Sequence, residues 1–354
     1  MNRRRALLAG LAALPLRASA VSWAPVLPGR RLEFPADHGA HTAYRTEWWY
    51  ATGWLRTADE RDLGVQITFF RNRPGVQEGT RSRFAPAQLL FAHAALADPA
   101  VGRLLHDQRA AREGFGLASA STRTTDVRID DWQFTLEGST YRARIAGREF
   151  GLDLALVATT PILLQGDAGL SRKGPVPAQA SYYYSRPHLQ VSGRVVRDKR
   201  AIDVTGTAWL DHEWSSEILG AEATGWDWCG INLHDGGALM AFRIRDGAAQ
   251  PIWAGGSRRS PDGRTRIASP EDVRFEVVRE WTSARTGTRY PSSMRIALWD
   301  ETVTLEPLLD DQELDARGST GTIYWEGAVR ALRSGREIGR GYLELTGYGQ
   351  PLKL

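Results

Sequence analysis

Cys229 is the single cysteine in a chain of 354 residues. One cysteine excludes an internal disulfide and a cysteine-built structural zinc site. The seven histidines show no metal-ligand spacing. His212-Glu213 opens like a zinc-protease signature, but the residue four past His212 is Ser216, so the second histidine is missing. Neither a metal nor a cofactor is expected. No G-x-S-x-G elbow supports an α/β-hydrolase, and no glycine-rich stretch forms a phosphate loop. Long amphipathic helices are missing. After residue 20 no apolar run approaches the ~20 residues that cross a bilayer, so no transmembrane anchor is expected there. A basic patch interleaved with aromatics is missing too, which argues against nucleic acid as a partner.

Residues 1–20 read as a signal peptide. Arg3, Arg4 and Arg5 form a basic head, residues 6–16 an apolar run, and Ala18-Ser19-Ala20 an A-x-A cleavage site. The arginine head resembles a twin-arginine export signal. The mature chain then starts near Val21 and is periplasmic or secreted. The full chain carries 45 basic and 41 acidic side chains. The first twenty residues hold four arginines and no acid, which leaves the mature chain 41 of each. The high pI of the full chain thus belongs largely to the signal.

Strand-like runs dominate after residue 45, and many alternate apolar with polar residues. Gly and Asp turns such as Glu137-Gly138, Asp235-Gly236 and Asp262-Gly263 separate them. This spacing predicts an all-β sandwich or barrel. Residues 85–90 and 310–316 read as short helical turns, and 166–179 as a long loop inside the first domain. A faint repeat is also present. Gly193-Arg194-Val195 leads into Gly206 and the run Trp209-Leu210-Asp211; Gly327-Ala328-Val329 leads into Gly339 and Tyr342-Leu343-Glu344. Each unit is a hairpin ending in aromatic-Leu-acid. We read them as the closing hairpins of two related β domains, 21–215 and 220–354, with the boundary near residues 215–225.

The chemistry concentrates in residues 206–214. Asp211, His212 and Glu213 stand together between Trp209 and Trp214. In an extended strand Ala208, Leu210, His212 and Trp214 share one face, and Trp209, Asp211 and Glu213 the other. A histidine layered with Ala and Leu has left bulk water, the setting in which pKa values shift. Two readings stand open: a satisfied core histidine, or a functional polar cluster. The thirteen tryptophans also cluster, at Trp48-Trp49, Trp209, Trp214, Trp226 and Trp228, beside Tyr182-Tyr183-Tyr184. They read either as core packing or as the lining of a cavity for a large apolar ligand.

Five stretches carry a resemblance. Glu47-Trp48-Trp49-Tyr50-Ala51-Thr52-Gly53, residues 66–71, Trp209 to Trp214, Gly225-Trp226-Asp227-Trp228 and residues 341–348 resemble the lipocalin-like AttH/CrtC family, over about residues 44–348. That family includes carotenoid 1,2-hydratases and secreted proteins associated with ABC transport systems, some described only as predicted secreted hydrolases. The resemblance implies two tandem lipocalin-like β-barrels and leads to three expectations. The first is an exported carrier of a lipophilic, isoprenoid- or lipid-like molecule beside an ABC transporter. The second is a cofactor-independent enzyme, a hydratase of an isoprenoid-like alkene or an unassigned secreted hydrolase. The third is an accessory envelope protein whose tryptophans are core. The candidate catalytic residues are Asp211, His212, Glu213 and Asp227. The candidate ligand-binding residues are Glu47, Trp49, Tyr50, Trp209, Trp214, Trp226 and Trp228. His212 is expected to be buried, hydrogen-bonded and next to a tryptophan-lined cavity.

Overall fold

The structure is a computed structural model that describes residues 22–352 apart from 79, 81 and 83. The segment 1–20, expected to be a signal peptide, lies outside the described residues. The rest is nearly all strand, in two antiparallel sheets of thirteen and ten strands. The only helical pieces among the described residues are the 3-10 turns Ala36–His38 and Pro270–Asp272. Neither expected helical turn forms. Residues 85–88 run irregularly into the strand Leu89–Asp98, and the 310–316 segment becomes the strand Glu313–Ala316. Both segments gain more by adding to a neighbouring strand than a single isolated turn could offer. The 166–179 loop likewise contributes the short strand Leu170–Arg172.

In each sheet the last long strand pairs with the first and nearly closes a barrel. Arg200–Glu217 pairs with Thr46–Thr57, and Arg336–Leu345 pairs with Gly225–Leu233. The next hairpins fan off one side in both sheets: Asp62–Asn72 after Thr46–Thr57, and Ala238–Arg245 after Gly225–Leu233. On the other side Ala180–Arg197 and Thr322–Arg333 hold equivalent places. The two sheets therefore repeat one strand order, as the closing-hairpin repeat implied. The first sheet ends at Glu217 and the second begins at Gly225.

Outlying strands such as Thr140–Ala146 alternate buried and exposed residues, one face to the core and one to solvent. The strand Thr46–Thr57 is buried on nearly every residue. One of its faces closes the first barrel, and the other packs against the second sheet. That seam is an aromatic layer containing Tyr50, Trp54, Trp209, Trp228, Phe242 and Tyr342. Burying an apolar side chain of this size contributes about 1.5–3 kcal/mol. Trp54 Nε1 donates across it to the Gly341 carbonyl at 2.9 Å. The sheets approach closely at Gly64, where a Cβ would lie 2.7 Å from Ala328 Cβ.

Candidate functional site

Residues 208–216 of the strand Arg200–Glu217 are buried on both faces, so strand alternation divides the candidate residues between two different environments. His212 and Trp214 point into the first barrel, together with Glu47 and Trp49 of the neighbouring strand. Glu47 Oε2 accepts from Arg71 Nε at 2.7 Å, and both side chains are fully buried. Glu47 Oε1 lies 2.9 Å from His212 Nε2 and 2.7 Å from His41 Nδ1. His41 Nε2 reaches Asp37 Oδ1 at 2.9 Å. His212 Nδ1 meets the Tyr184 hydroxyl at 3.1 Å, and the ring stacks on Trp49. Trp214 stacks on His41 with centroids 3.6 Å apart.

The charges in this network follow from its geometry. Burial alone would raise the Glu47 carboxyl, but Arg71, His41 and the His212 hydrogen bond hold it well below the usual range. Burial lowers His212 to about 4 despite Glu47, so the ring is neutral. Its Nε2–H then donates to Glu47, and Nδ1 accepts from Tyr184. For His41 the two flanking carboxylates outweigh burial and raise the pKa. The ring is an imidazolium donating from both nitrogens. His41, Glu47 and His212 do bring three donor atoms within 4.8 Å of one another. Each of those atoms is already held in a hydrogen bond, and an arginine and an imidazolium neutralise the carboxylate, so the residues present do not fit a cation. This is a closed structural network.

Asp227 occupies the equivalent interior of the second barrel. It accepts from Arg243 Nε at 2.6 Å, Arg245 Nε at 3.0 Å and the Tyr348 hydroxyl at 3.0 Å. It too serves as an internal counter-ion. The expectation that His212 borders a tryptophan-lined cavity is corrected here: His212 is buried and bonded to a carboxylate, but the cavity lies on the opposite face of its strand.

That cavity sits in the seam between the sheets, opens to the surface beside Trp48, Leu219 and Trp226, and holds about 100 Å³. The first sheet contributes Trp48, Tyr50, Thr68, Phe70, Tyr183, Asp211 and Glu213, and the second contributes Trp226, Trp228, Phe242, Tyr324, Glu326 and Glu344. Asp211 accepts from Tyr183 Oη at 2.7 Å, from Ser185 Oγ at 2.5 Å and from Trp209 Nε1 at 2.7 Å. Trp228 Nε1 donates to Tyr183 Oη at 3.0 Å, which ties the second sheet into the same chain. Trp209 thus holds Asp211 from beneath and does not line the cavity. Lys173 pairs with Glu213 at 2.8 Å and lies over the Phe242 ring. Tyr50 Oη and Glu326 Oε1 are both buried here, and Glu326 interacts with the hydroxyls of Tyr50 and Tyr324.

Burial dominates the electrostatics of this cavity. It pushes the Asp211 carboxyl up to about 7 against its three hydrogen bonds. Burial, with the charges of Asp211 and Glu213 nearby, takes Glu344 to about 7 as well. Glu326 rises well above the usual range through burial and the proximity of Glu344. The cavity therefore offers carboxyls able to hold or release a proton near neutrality, surrounded by aromatic rings.

The structure brings Asp211, Glu213, Tyr50, Trp226 and Trp228 to the cavity and leaves Glu47, Trp49, His212, Trp214 and Asp227 in the barrel interiors. The candidate residues did not include Glu344, Glu326, Tyr324 or Lys173. Glu344 was marked by the aromatic-Leu-acid repeat, where it is the counterpart of Asp211. No local pattern marked Glu326 or Lys173.

The family described as AttH-like matches residues 25–348. The crystal structure of an AttH from Nitrosomonas europaea is 52% identical, with a TM-score of 0.87 over 92% of this chain and 99% of that one. Kievitone hydratase from Nectria haematococca is 14% identical, with a TM-score of 0.70 over 93% and 96% of the two chains. CghA with Sch210972 is also 14% identical, with a TM-score of 0.53 over 86% and 89%. At such identities the last two likenesses concern the fold alone. A comparison with curated proteins finds no match.

Proposed function

The chain belongs to the AttH-like family, and from that premise we propose that the seam cavity is a cofactor-independent acid–base site that adds water to a carbon–carbon double bond of a lipophilic substrate, or removes it. One observation carries the reading: Asp211 and Glu344, one from each sheet, are buried beside the same cavity with carboxyls poised at about 7. Hydration of a branched alkene needs three things from a protein. A protonated carboxyl gives its proton to the less substituted alkene carbon. The tertiary cation left behind is stabilised by aromatic faces, here Trp48, Trp226 and Trp228. A carboxylate then takes a proton from the water that attacks the cation. Two carboxyls of similar affinity allow one to start protonated and the other ionised. The hydratase among the structural neighbours is consistent with this chemistry.

The same aromatic lining favours a second reading, a carrier that binds an apolar molecule without turnover. The test uses linalool, a small probe with a terminal branched alkene and a tertiary alcohol, in isotopically labelled water. Label uptake that is lost in Asp211→Asn and Glu344→Gln supports the enzyme. Saturable binding with no label uptake supports the carrier. The signal-like segment 1–20 sets the compartment for either activity as the periplasm or the exterior, and cell fractionation tests that placement. Co-purification with ABC transporter components would test the proposed partnership.

A further inference from the structure

His93, on the strand Leu89–Asp98, lies one residue removed from the cavity and belongs to none of the networks above. It is 1% exposed. Its Nδ1 is 2.6 Å from the hydroxyl of Tyr324, which lines the cavity beside Glu326. Its Nε2 is 2.9 Å from Ser319 Oγ, in the partly exposed turn before the strand Thr322–Arg333. Ser319 donates to Gln108 Oε1 at 2.7 Å, and Gln108 Nε2 donates to the Asp315 carbonyl at 2.9 Å.

The directions of these bonds follow from one another. The Asp315 carbonyl can only accept, so the Gln108 amide presents its oxygen to Ser319. Ser319 spends its proton there and accepts from His93 Nε2–H. His93 Nδ1 therefore carries no proton and accepts from Tyr324 O–H. The Tyr324 oxygen is left with lone pairs able to accept from the Glu326 carboxyl, its electrostatic neighbour two residues along the same strand.

We propose that His93 is a proton relay, acting through Tyr324, that connects the Glu326 carboxyl in the cavity to solvent at Ser319. This rests on reading the cavity as an acid–base site, because such a site must exchange protons with bulk water while a lipophilic substrate fills its mouth. The step balances. Glu326 passes its proton to the Tyr324 oxygen, Tyr324 passes its own to His93 Nδ1, Nε2 releases one to Ser319, and Ser319, its hydroxyl turning from Gln108 to solvent, releases one to surface water. Glu326 ends as a carboxylate and His93 as the Nδ1–H tautomer; the reverse sequence reloads the acid. No imidazolium forms, in keeping with a ring that burial, with His106 nearby, lowers to about 3. The groups around His93 are His106 on the strand Arg103–Arg112, Tyr324 and Glu326 on Thr322–Arg333, Ser319 in the turn, and the edge-on Phe70 ring on Asp62–Asn72.

The experiment needs no substrate. Infrared spectroscopy of the whole protein shows the carbonyl stretch of each buried protonated carboxyl, and that of Glu326 is identified by its loss in Glu326→Gln. On transfer to heavy water the band shifts as its proton exchanges. His93→Gln and His93→Phe should slow that exchange at least tenfold, with backbone amide exchange unchanged. A band that shifts as fast in both variants as in the wild type overturns the relay, as does the absence of a protonated Glu326 band at neutral pH. Slowed exchange without linalool turnover would keep the relay and remove the hydratase reading. Unchanged exchange with turnover would do the reverse.

Discussion

Asp211 and Glu344 hold the same register position in the two sheets: Asp211 lies opposite Tyr50 on the first long strand of one, and Glu344 opposite Trp228 on the first strand of the other. The equivalence extends outward. Tyr183 pairs with Glu213, two residues beyond Asp211. Tyr324 stands two residues before Glu326, the partner of Glu344. The cavity is thus built twice from one strand pattern, with the two copies turned towards each other.

Each acid should be indispensable for hydration. Asp211→Asn and Glu344→Gln keep the side-chain volume but cannot donate a carboxyl proton. Turnover should fall by about 10²–10⁴, with melting temperatures close to wild type. A loss below tenfold in either variant would remove that residue from the chemistry.

The same carboxyl makes stability depend on pH. Burial pushes the Asp211 carboxyl up to about 7 in the folded chain, against 3.8 for an ordinary aspartate. Between those values the folded chain keeps a proton that the unfolded chain has released, so this stabilisation is present in acid and lost as pH rises through 7. His212 and His93, lowered to about 4 and about 3, act oppositely, and their stabilisation is lost as pH falls below 6.5. Subtracting wild-type from Asp211→Asn unfolding energies in urea isolates the first effect. The difference should move in favour of the variant by about 1.4 kcal/mol per pH unit from 4 to 7, whereas a flat difference would mean an ionised Asp211.

His212→Ala should affect folding and leave chemistry alone. It removes a donor to the buried Glu47 and opens a void beside Trp49. The expected cost is about 2–4 kcal/mol, read by urea unfolding. Below the transition, turnover per folded molecule should match wild type. A large drop in turnover with full stability would return His212 to the list of catalytic residues.

Gly64→Val should act on the seam. A Cβ at Gly64 would meet Ala328 Cβ at 2.7 Å and Tyr342 Oη at 2.8 Å. The sheets must separate locally, at about 1–3 kcal/mol. Iodide should then quench tryptophan fluorescence more strongly than in wild type. Unchanged quenching would show that the seam absorbs the side chain without opening.

Much of this was legible in the chain. The period-two pattern from Ala208 to Trp214 sorted its residues onto the faces they occupy, because a strand leaves no other choice. The repeated aromatic-Leu-acid ending anticipated the equivalence of Asp211 and Glu344. What alternation cannot tell is which face of a strand buried on both sides is chemical and which is structural. His212 and Asp211 look equally promising in sequence; only the tertiary partners separate them, Arg71 and His41 neutralising one network while the other is left rich in acid. Lys173, Glu326 and His93 come from distant segments with no local pattern, and the packing of the sheets alone brings them together.

One part of the cavity is not repeated. The Lys173–Glu213 pair stands on the first sheet's side. The corresponding position beside Trp226 is Thr346, whose hydroxyl is taken up by the Trp226 backbone. The two walls thereby become unlike, and the pocket acquires a direction. An unsymmetrical alkene cannot lie in it equally well in two opposite senses, so the two acids should not exchange their roles as proton donor and base.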